Sequence, residues 1–244
     1  MGKKRLDTLL VEQGYFPDEG AVLRAVIARE VRVDDVYVSS AAIKVEQDAE
    51  IFVKNARRFV SRGGHKLQGA LDYFAQDVEG LRCIDVGSST GGFTDCLLQA
   101  GAHSVACVDV NYGQLAWKLR QDERVSVFER TNIRLADPET LGAPFDLIVC
   151  DLSFIGLSHL ASVFAALAKR GGVFIGLIKP QFESRHEETD RGIVVDEAVR
   201  QRVVSEVTRA LGDVGFSVTG VVESSIRGAE GNVEYLIHAR FDGK

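Results

Sequence analysis

Leu81-Arg82-Cys83-Ile84-Asp85-Val86-Gly87-Ser88-Ser89-Thr90-Gly91-Gly92-Phe93-Thr94 is the stretch that decides the fold. A short apolar run ends in an acid and a glycine, and two further glycines open an amphipathic segment from Phe93 to Ala100. That order reads as strand, tight turn and helix, the first crossover of a doubly wound sheet. Glycines in the turn let backbone N–H groups approach a ligand closely, and the helix N-terminus adds a favourable partial charge.

Working outward, strand and helix signals alternate downstream. Strands are expected at 81–86, 104–109, 125–129, 145–150 and 172–178, with helices at 92–100, 113–120 and 157–168. Asp196 opens a longer helix to Leu211, with Val199, Val203, Val207 and Ala210 inward. Two last strands, 216–222 and 233–241, flank the glycine-rich connection Arg227-Gly228-Ala229-Glu230-Gly231. Five parallel strands, a helix and a C-terminal antiparallel hairpin make an α/β, Rossmann-like layout of the class I methyltransferase kind. Upstream the pattern differs. Leu6, Leu9 and Leu10 give residues 4–12 a helical spacing, and Asp18 can cap a second helix with Ala21, Val22, Ala25 and Val26 on its apolar face. Val31, Val33, Val36 and Val38, then Ile51 and Val53, suggest short strands. A small α+β unit at 1–54, a linker at 55–63 and a larger α/β domain at 64–244 are therefore expected.

Bulk properties exclude several classes. At 45% hydrophobic and 26% charged the composition is that of a globular chain, and no apolar run approaches the ~20 residues that span a bilayer. Met1-Gly2-Lys3-Lys4-Arg5-Leu6-Asp7 is basic, but no apolar run of signal-peptide type follows it. Cys83, Cys96, Cys107 and Cys150 form no C-x-x-C and read as buried small hydrophobes of a reducing cytoplasm, where the protein is expected to reside. Net charge is −6, unevenly spread: residues 1–68 carry 12 Lys and Arg against 10 Asp and Glu, and the remainder 17 against 25. Lys54 to Gln68 holds Lys54, Arg57, Arg58, Arg62 and Lys66 without an acid. Such a cluster can neutralise phosphates whatever the global sum, although Arg57 and Arg58 alone also fit a solvated linker.

The glycine spacing is G-x-x-x-G-G, not the dinucleotide G-x-G-x-x-G. A nucleoside cofactor without a pyrophosphate fits better than a nicotinamide, and S-adenosylmethionine is the obvious candidate. In an open α/β sheet the ligand lies beyond the carboxyl ends of the strands. The first strand end offers Asp85, Gly87, Ser88, Ser89, Thr90, Gly91, Gly92, Phe93 and Thr94. The second offers Asp109 to the ribose hydroxyls, and the third offers Asn132 and Ile133 to the adenine edge and face. Asp151 and Lys179 follow the fourth and fifth strands, beside the cofactor and at reactive depth. A buried structural ion pair is the alternative reading of those two.

Taken together, Arg5-Leu-Asp-x-Leu-Leu-Val, Val60-Ser-Arg-Gly-Gly-x-Lys66-Leu, Asp85-Val-Gly-x-Ser-Thr-Gly-Gly-Phe-Thr94, Asp109-Val-x-Tyr-Gly-Gln-Leu-Ala-Trp117, Glu129-Arg-Thr-Asn-Ile-Arg134, Lys179-Pro-Gln-Phe-Glu183 and Gly231-Asn-x-Glu234 resemble the TlyA family over essentially the whole chain. That family, often labelled haemolysin, contains ribosomal RNA 2′-O-methyltransferases. The resemblance implies an S-four-like RNA-binding domain joined to an FtsJ-like methyltransferase domain, with S-adenosylmethionine as cofactor and ribosomal RNA or subunits as partner. It also implies a catalytic tetrad at Lys66, Asp151, Lys179 and Glu234, with no metal. A ribose hydroxyl must lose its proton as it attacks, and Lys179 is the natural base, with Asp151 and Glu234 holding the two amines in place. Lys3, Lys4, Arg5, Arg57, Arg58 and Arg62 are the candidate RNA contacts. The loop from Glu183 to Gly192, with Arg185, His186 and Arg191, either closes over RNA or is a solvated surface loop.

The first domain departs from the family pattern. Asp18-Glu19 stands where relatives commonly have Ser-Arg, Arg29 where they often have glycine, and Asp34-Asp35 near the usual Asn-Gly turn. Two acids in place of a phosphate-facing arginine argue against tight RNA binding by this module and point to an altered substrate preference or reduced activity. Three other readings compete: a cofactor-binding, ribosome-binding protein with little catalysis, a membrane-active haemolysin, and a nucleotide-dependent oxidoreductase.

Overall fold

The computed structural model describes residues 3–12, 15–16, 18–46, 49, 51–54, 58–228 and 231–243. The N-terminal part begins with β1 (Lys4–Arg5), α1 (Leu6–Glu12) and α2 (Glu19–Ile27). It continues through β2 (Val31–Val33), β3 (Val36–Tyr37), β4 (Lys44–Val45) and β5 (Ile51–Val53). Asp18 caps α2 as expected, its Oδ1 accepting from Ala21 N at 2.7 Å. β3, β2 and β5 form a three-stranded antiparallel sheet, and β1 pairs with β4. Lys4 and Arg5, expected in the first helix, are instead that edge ladder. Asp34 and Asp35 both hold positive φ, 48° and 62°, the geometry of the mirror-image turn that suits a tight hairpin. Leu6, Leu10, Val22, Val26, Val31 and Val53 close a core drawn from residues 6–53.

The larger part starts with α3 (Gly63–Phe74), followed by β6 (Arg82–Val86), α4 (Gly92–Gln99), β7 (Ser104–Val108), α5 (Trp117–Arg120) and β8 (Val125–Phe128). Next come α6 (Pro138–Leu141), β9 (Phe145–Cys150), a 3₁₀ turn at Leu157–Leu160, α7 (Ala161–Leu167) and β10 (Ala168–Ile178). The chain ends with α8 (Pro180–Glu183), a second 3₁₀ turn at His186–Glu188, α9 (Glu197–Asp213), β11 (Phe216–Glu223) and β12 (Tyr235–Phe241). The sheet order is β11-β12-β10-β9-β6-β7-β8, with β12 antiparallel to both its neighbours and β10, β9, β6, β7 and β8 pairing in parallel. This is the Rossmann-like sheet with a terminal hairpin that the sequence pattern predicts. Apolar residues cover both faces of the parallel strands, one layer including Ile84, Ile148, Phe164 and Val207, the other Leu67, Leu97, Leu147 and Ile175.

Three elements differ in extent from their sequence signals. The helix expected at 113–120 keeps only Trp117–Arg120, because Gly113 N donates to Glu129 Oε1 and Ala116 N to Thr90 O instead of building a first turn. The helix expected at 157–168 opens as a 3₁₀ turn over the carboxylate of Glu183, which accepts from Leu157 N and from Ser158 Oγ at 2.7 Å. The fifth strand begins at Ala168, four residues early, by accommodating an irregularity between Ala168 and Val173 in its pairing with β9. Burial raises the Cys83 and Cys96 thiols to about 12 and those of Cys107 and Cys150 upward too, so all four cysteines are packing residues. Among the described residues no helix is long and apolar enough to cross a membrane.

Phe59 ties the segment before α3 to the larger core. It is 1% exposed, and a Cβ added at Gly64 would run into its ring. Phe59→Ala should lower unfolding free energy by ~3–5 kcal/mol, the scale of a buried aromatic truncation, seen as a lower urea midpoint.

Candidate active site

Register explains why the chemistry collects at one edge of the sheet. Val86 pairs with both Val108 and Cys150, and Cys150 pairs with Gly176, two residues before the end of β10. Gly87, Asp109, Asp151 and Lys179 are therefore the residues just past four neighbouring strand ends. β12 runs the other way, and its first residue, Tyr235, pairs with Ile178. Glu234, immediately before it, thereby arrives beside Lys179 although 55 positions separate them in sequence.

Two adjoining cavities occupy this edge, each of about 300 Å³. Gly87, Ser89, Asp151 and Ser153 border both. The first is the more apolar and is lined by Asp109, Asn132, Ile133, Leu152 and Phe154. Asp109 is fixed by two backbone donors, Ser89 N to Oδ2 and Asn111 N to Oδ1, both at 2.8 Å. Each of its oxygens retains a further lone pair for a hydroxyl. Asn132 commits its oxygen to Arg134 N at 3.1 Å, which leaves the amide nitrogen as the end offered to a ligand.

The second cavity is lined by Lys66, Asp85, Asp151, Lys179 and Glu234, together with Ser61, Arg62 and, from the turn, Ser88, Ser89, Thr90, Gly92 and Phe93. Here the tetrad assembles. Lys66 is ion-paired with Glu234, with side chains 11% and 3% exposed. Lys179 Nζ lies 2.6 Å from Asp151 Oδ1 and 3.3 Å from Ser153 Oγ. Each ammonium has its own carboxylate, which is what allows two cations to share one pocket.

Asp85 stands behind the turn and is fully buried. Its Oδ2 accepts from Thr94 N at 3.0 Å and Thr94 Oγ1 at 2.7 Å, while its Oδ1 is buried with no hydrogen-bond partner. Burial pushes this carboxyl up to about 7; the Thr94 bonds oppose the rise, and the nearby Asp151 and Asp109 carboxylates add to it. An orphan carboxylate oxygen on a cavity wall asks for a cationic donor. The α-ammonium of S-adenosylmethionine is such a group, with Asp109 for its ribose and Asn132 and Ile133 for its base. The turn is shaped for close approach. Gly87 has φ +87°, and a Cβ there would come within 2.7 Å of Asp151 O. The residues present fit this donor.

Not every expected residue faces the cavities. Gly91 and Thr94 line neither: Gly91, at φ +94°, gives way to the Leu115 and Leu119 side chains, and Thr94 is buried behind Asp85. Their part is to support the turn. Arg62 borders the second cavity, whereas Arg58 donates to Gln68 Oε1 at 2.8 Å and lies over the Phe59 ring. Arg5 is paired with Asp7 at 2.6 Å, Lys3 lies 3.7 Å from Glu46, and Lys4 belongs to β1; Arg57 falls outside the described residues. The loop from Glu183 to Gly192 is pinned at several points. Glu188 pairs with Arg202 at 2.6 Å, and Asn232 bridges Gly192 O and Val194 N.

Among the cavity-lining residues that the sequence reading did not single out are Ser61, Leu152, Ser153 and Phe154. Phe154 is 91% exposed, has φ +71° and lies 5.4 Å from the Phe182 ring, at the mouth of the first cavity. The available signal was an aromatic with no helical or strand partner directly after Asp151-Leu-Ser.

Comparison with known proteins agrees with this geometry. Residues 59–241 match the FtsJ-like methyltransferase family. The chain is 42% identical to the 16S/23S rRNA (cytidine-2′-O)-methyltransferase TlyA of Mycobacterium tuberculosis H37Rv, over 98% of this chain and 90% of that one. Hemolysin A of Brachyspira hyodysenteriae is 36% identical, with 96% and 98% covered. A solved structure of a hemolysin-named protein from Streptococcus thermophilus superposes with a TM-score of 0.74 at 39% identity, covering 100% of this chain and 90% of that one. With that sheet, that donor pocket and these relatives, the chain belongs to the FtsJ-like methyltransferases and, within them, to the TlyA family, and its methyl donor is S-adenosylmethionine.

Proposed function

We propose that this protein methylates the ribose 2′-hydroxyl of a cytidine in ribosomal RNA, with Lys66, Asp151, Lys179 and Glu234 as its catalytic group. The observation that carries this is the meeting of those four side chains in one cavity that adjoins the donor pocket. The cytidine and the ribosomal RNA rest on the activity named for the Mycobacterium relative.

When bound, S-adenosylmethionine supplies a methyl group activated by a sulfonium. The protein's own task is to place a hydroxyl and take its proton. Lys179, once its ammonium has released a proton to solvent, accepts the hydroxyl proton at Nζ, and Asp151 fixes where Nζ lies. Lys66 donates toward the ribose oxygen and is held by Glu234. Alignment of hydroxyl and donor then supplies much of the rate. Phe154 offers an open ring face on which the target base can stack, as unpaired bases do on aromatic platforms. Residues 1–54 serve as the S-four-like RNA-binding unit, linked by 55–63 to the catalytic domain at 64–244; a core drawn from residues 6–53 alone supports that division. Lys3, Lys4, Arg5, Arg58 and Arg62 supply phosphate contacts.

The protein should transfer labelled methyl from the donor to unmodified ribosomal subunits, leaving an alkali-resistant dinucleotide at a cytidine, since a 2′-O-methyl group blocks alkaline cleavage. Lys179→Ala should abolish this labelling while calorimetry gives a nearly unchanged donor Kd; near-normal turnover would remove Lys179 from the base role. Phe154→Ala should lower kcat/KM on subunits about tenfold, the loss expected for one stacked base, and calorimetry of donor binding separates that loss from any contact Phe154 makes with the donor.

Asp85 predicts opposite pH trends for binding and stability. The ionised carboxylate is the form that meets an ammonium, so donor affinity should be full above pH 7 and about tenfold weaker near pH 6, by calorimetry. Because its folded value lies above the ordinary carboxylate range, the donor-free fold binds an extra proton between that range and about 7. Its contribution to stability therefore falls as pH rises through this window. Asp85→Asn should flatten both profiles.

A further inference from the structure

The solvent face of the small N-terminal sheet carries a row of side chains that the active site does not use. Arg32 in β2 is the register partner of Tyr37 in β3 and of Phe52 in β5. Strand alternation sends Val31 and Val53 into the core and these three residues outward. Tyr37 is 52% exposed and Phe52 48%. The Arg32 guanidinium lies 4.2 Å from the Phe52 ring centroid and 5.7 Å from that of Tyr37. Its Nε is buried without a hydrogen-bond partner, and its guanidinium lies 3.3 Å from Asp35, whose side chain is 88% exposed.

A cation–π contact accounts for where Arg32 lies, but not for why both rings remain half in water. Two rings flanking a guanidinium, spaced across three strands at about 4.8 Å per strand, match the spread of two neighbouring unpaired nucleotides whose bases point down and whose phosphate lies between. An apolar protein surface would cover the rings yet leave a charged guanidinium desolvated. An RNA strand satisfies both: π faces for the rings and an anion for Arg32. The contact with Asp35 is no obstacle, because so exposed a pair is largely screened by water and contributes little. The alternative edge is less suitable, since α2 opens on Asp18 and Glu19, with Asp18 already capping Ala21 N.

We propose that this sheet face binds two adjacent unpaired RNA nucleotides, one base on Tyr37, one on Phe52, with the intervening phosphate on Arg32. The inference rests on the reading of RNA as substrate and extends it to how the first domain grips that RNA.

The test uses the full-length protein with the double change Tyr37→Ala/Phe52→Ala, and a ring-preserving control, Tyr37→Phe/Phe52→Tyr. Fluorescence anisotropy gives the Kd for an unstructured RNA of about ten nucleotides, within the usual single-strand site size. Methyl transfer to ribosomal subunits gives KM and kcat, and calorimetry gives the donor Kd. Removing both rings should raise the oligonucleotide Kd and the subunit KM about tenfold or more, the scale for lost base stacking, with kcat and donor Kd unchanged. The control should behave as wild type, and Arg32→Gln should weaken binding and flatten its salt dependence. An oligonucleotide Kd unaffected by loss of both rings overturns the proposal, even if subunit KM rises, because the face would then be meeting a ribosomal protein. If the wild type transfers no methyl to any ribosomal RNA, the functional reading fails, and the oligonucleotide titration still decides the role of this face.

Discussion

Two ammonium groups cannot share a small, partly buried pocket unless each brings its own counter-charge. Lys66 and Lys179 do so through Glu234 and Asp151, and the rest of the larger domain is arranged so that those pairs can form. Removing one member of such a pair leaves an uncompensated buried charge, which costs ~3–5 kcal/mol in comparable settings. The cluster is thus a condition on the fold as well as the proposed reaction site. Its most demanding member is Glu234, which reaches the carboxyl edge of the sheet only because β12 enters antiparallel beside β10. A parallel strand in that slot would present its last residue there instead.

Behind the reacting groups, the donor site is stiffened by side chains that do not face it. Thr94 fixes Asp85, and Ser89 and Asn111 fix Asp109. Leu115 and Leu119 fill the space that the missing Gly91 side chain leaves free. Asn232 and Glu183, both buried or nearly so, tie down the segments on either side of the pocket by accepting backbone N–H groups. This is a preformed site, in which the buried Asp85 Oδ1 has no hydrogen-bond partner within the protein. The first domain keeps a separate core, and its unusual feature is chemical: acids at the start of α2, and an arginine flanked by aromatics on the open face of its sheet.

Much of this was legible in the chain. The turn from Gly87 to Phe93, the carboxylates at Asp109 and Asp151 and the lysine at 179 follow apolar runs, so period and punctuation alone place them at strand ends. The Asp18 cap and the strong periodicity of α9 were readable for the same reason. Boundaries were less legible wherever side chains compete for backbone donors, as Glu129 does at Gly113 and Glu183 does at Leu157. The β1–β4 ladder left no local trace, since Lys4 and Arg5 carry no strand pattern and their pairing is with residues about forty positions away.

By itself the sequence determined the order of strands and helices, the identity of the groups at each strand end and, through long ordered motifs, the family. Local spacing is enough for these, because a strand end is a property of neighbouring residues. Only the tertiary structure decided which amine meets which acid, that Thr94 and Gly91 serve from behind the pocket, that Phe154 stands open at its mouth, and that Tyr37, Arg32 and Phe52 form one row. Those are facts of register and burial, fixed by pairings between distant strands, and no local pattern encodes them.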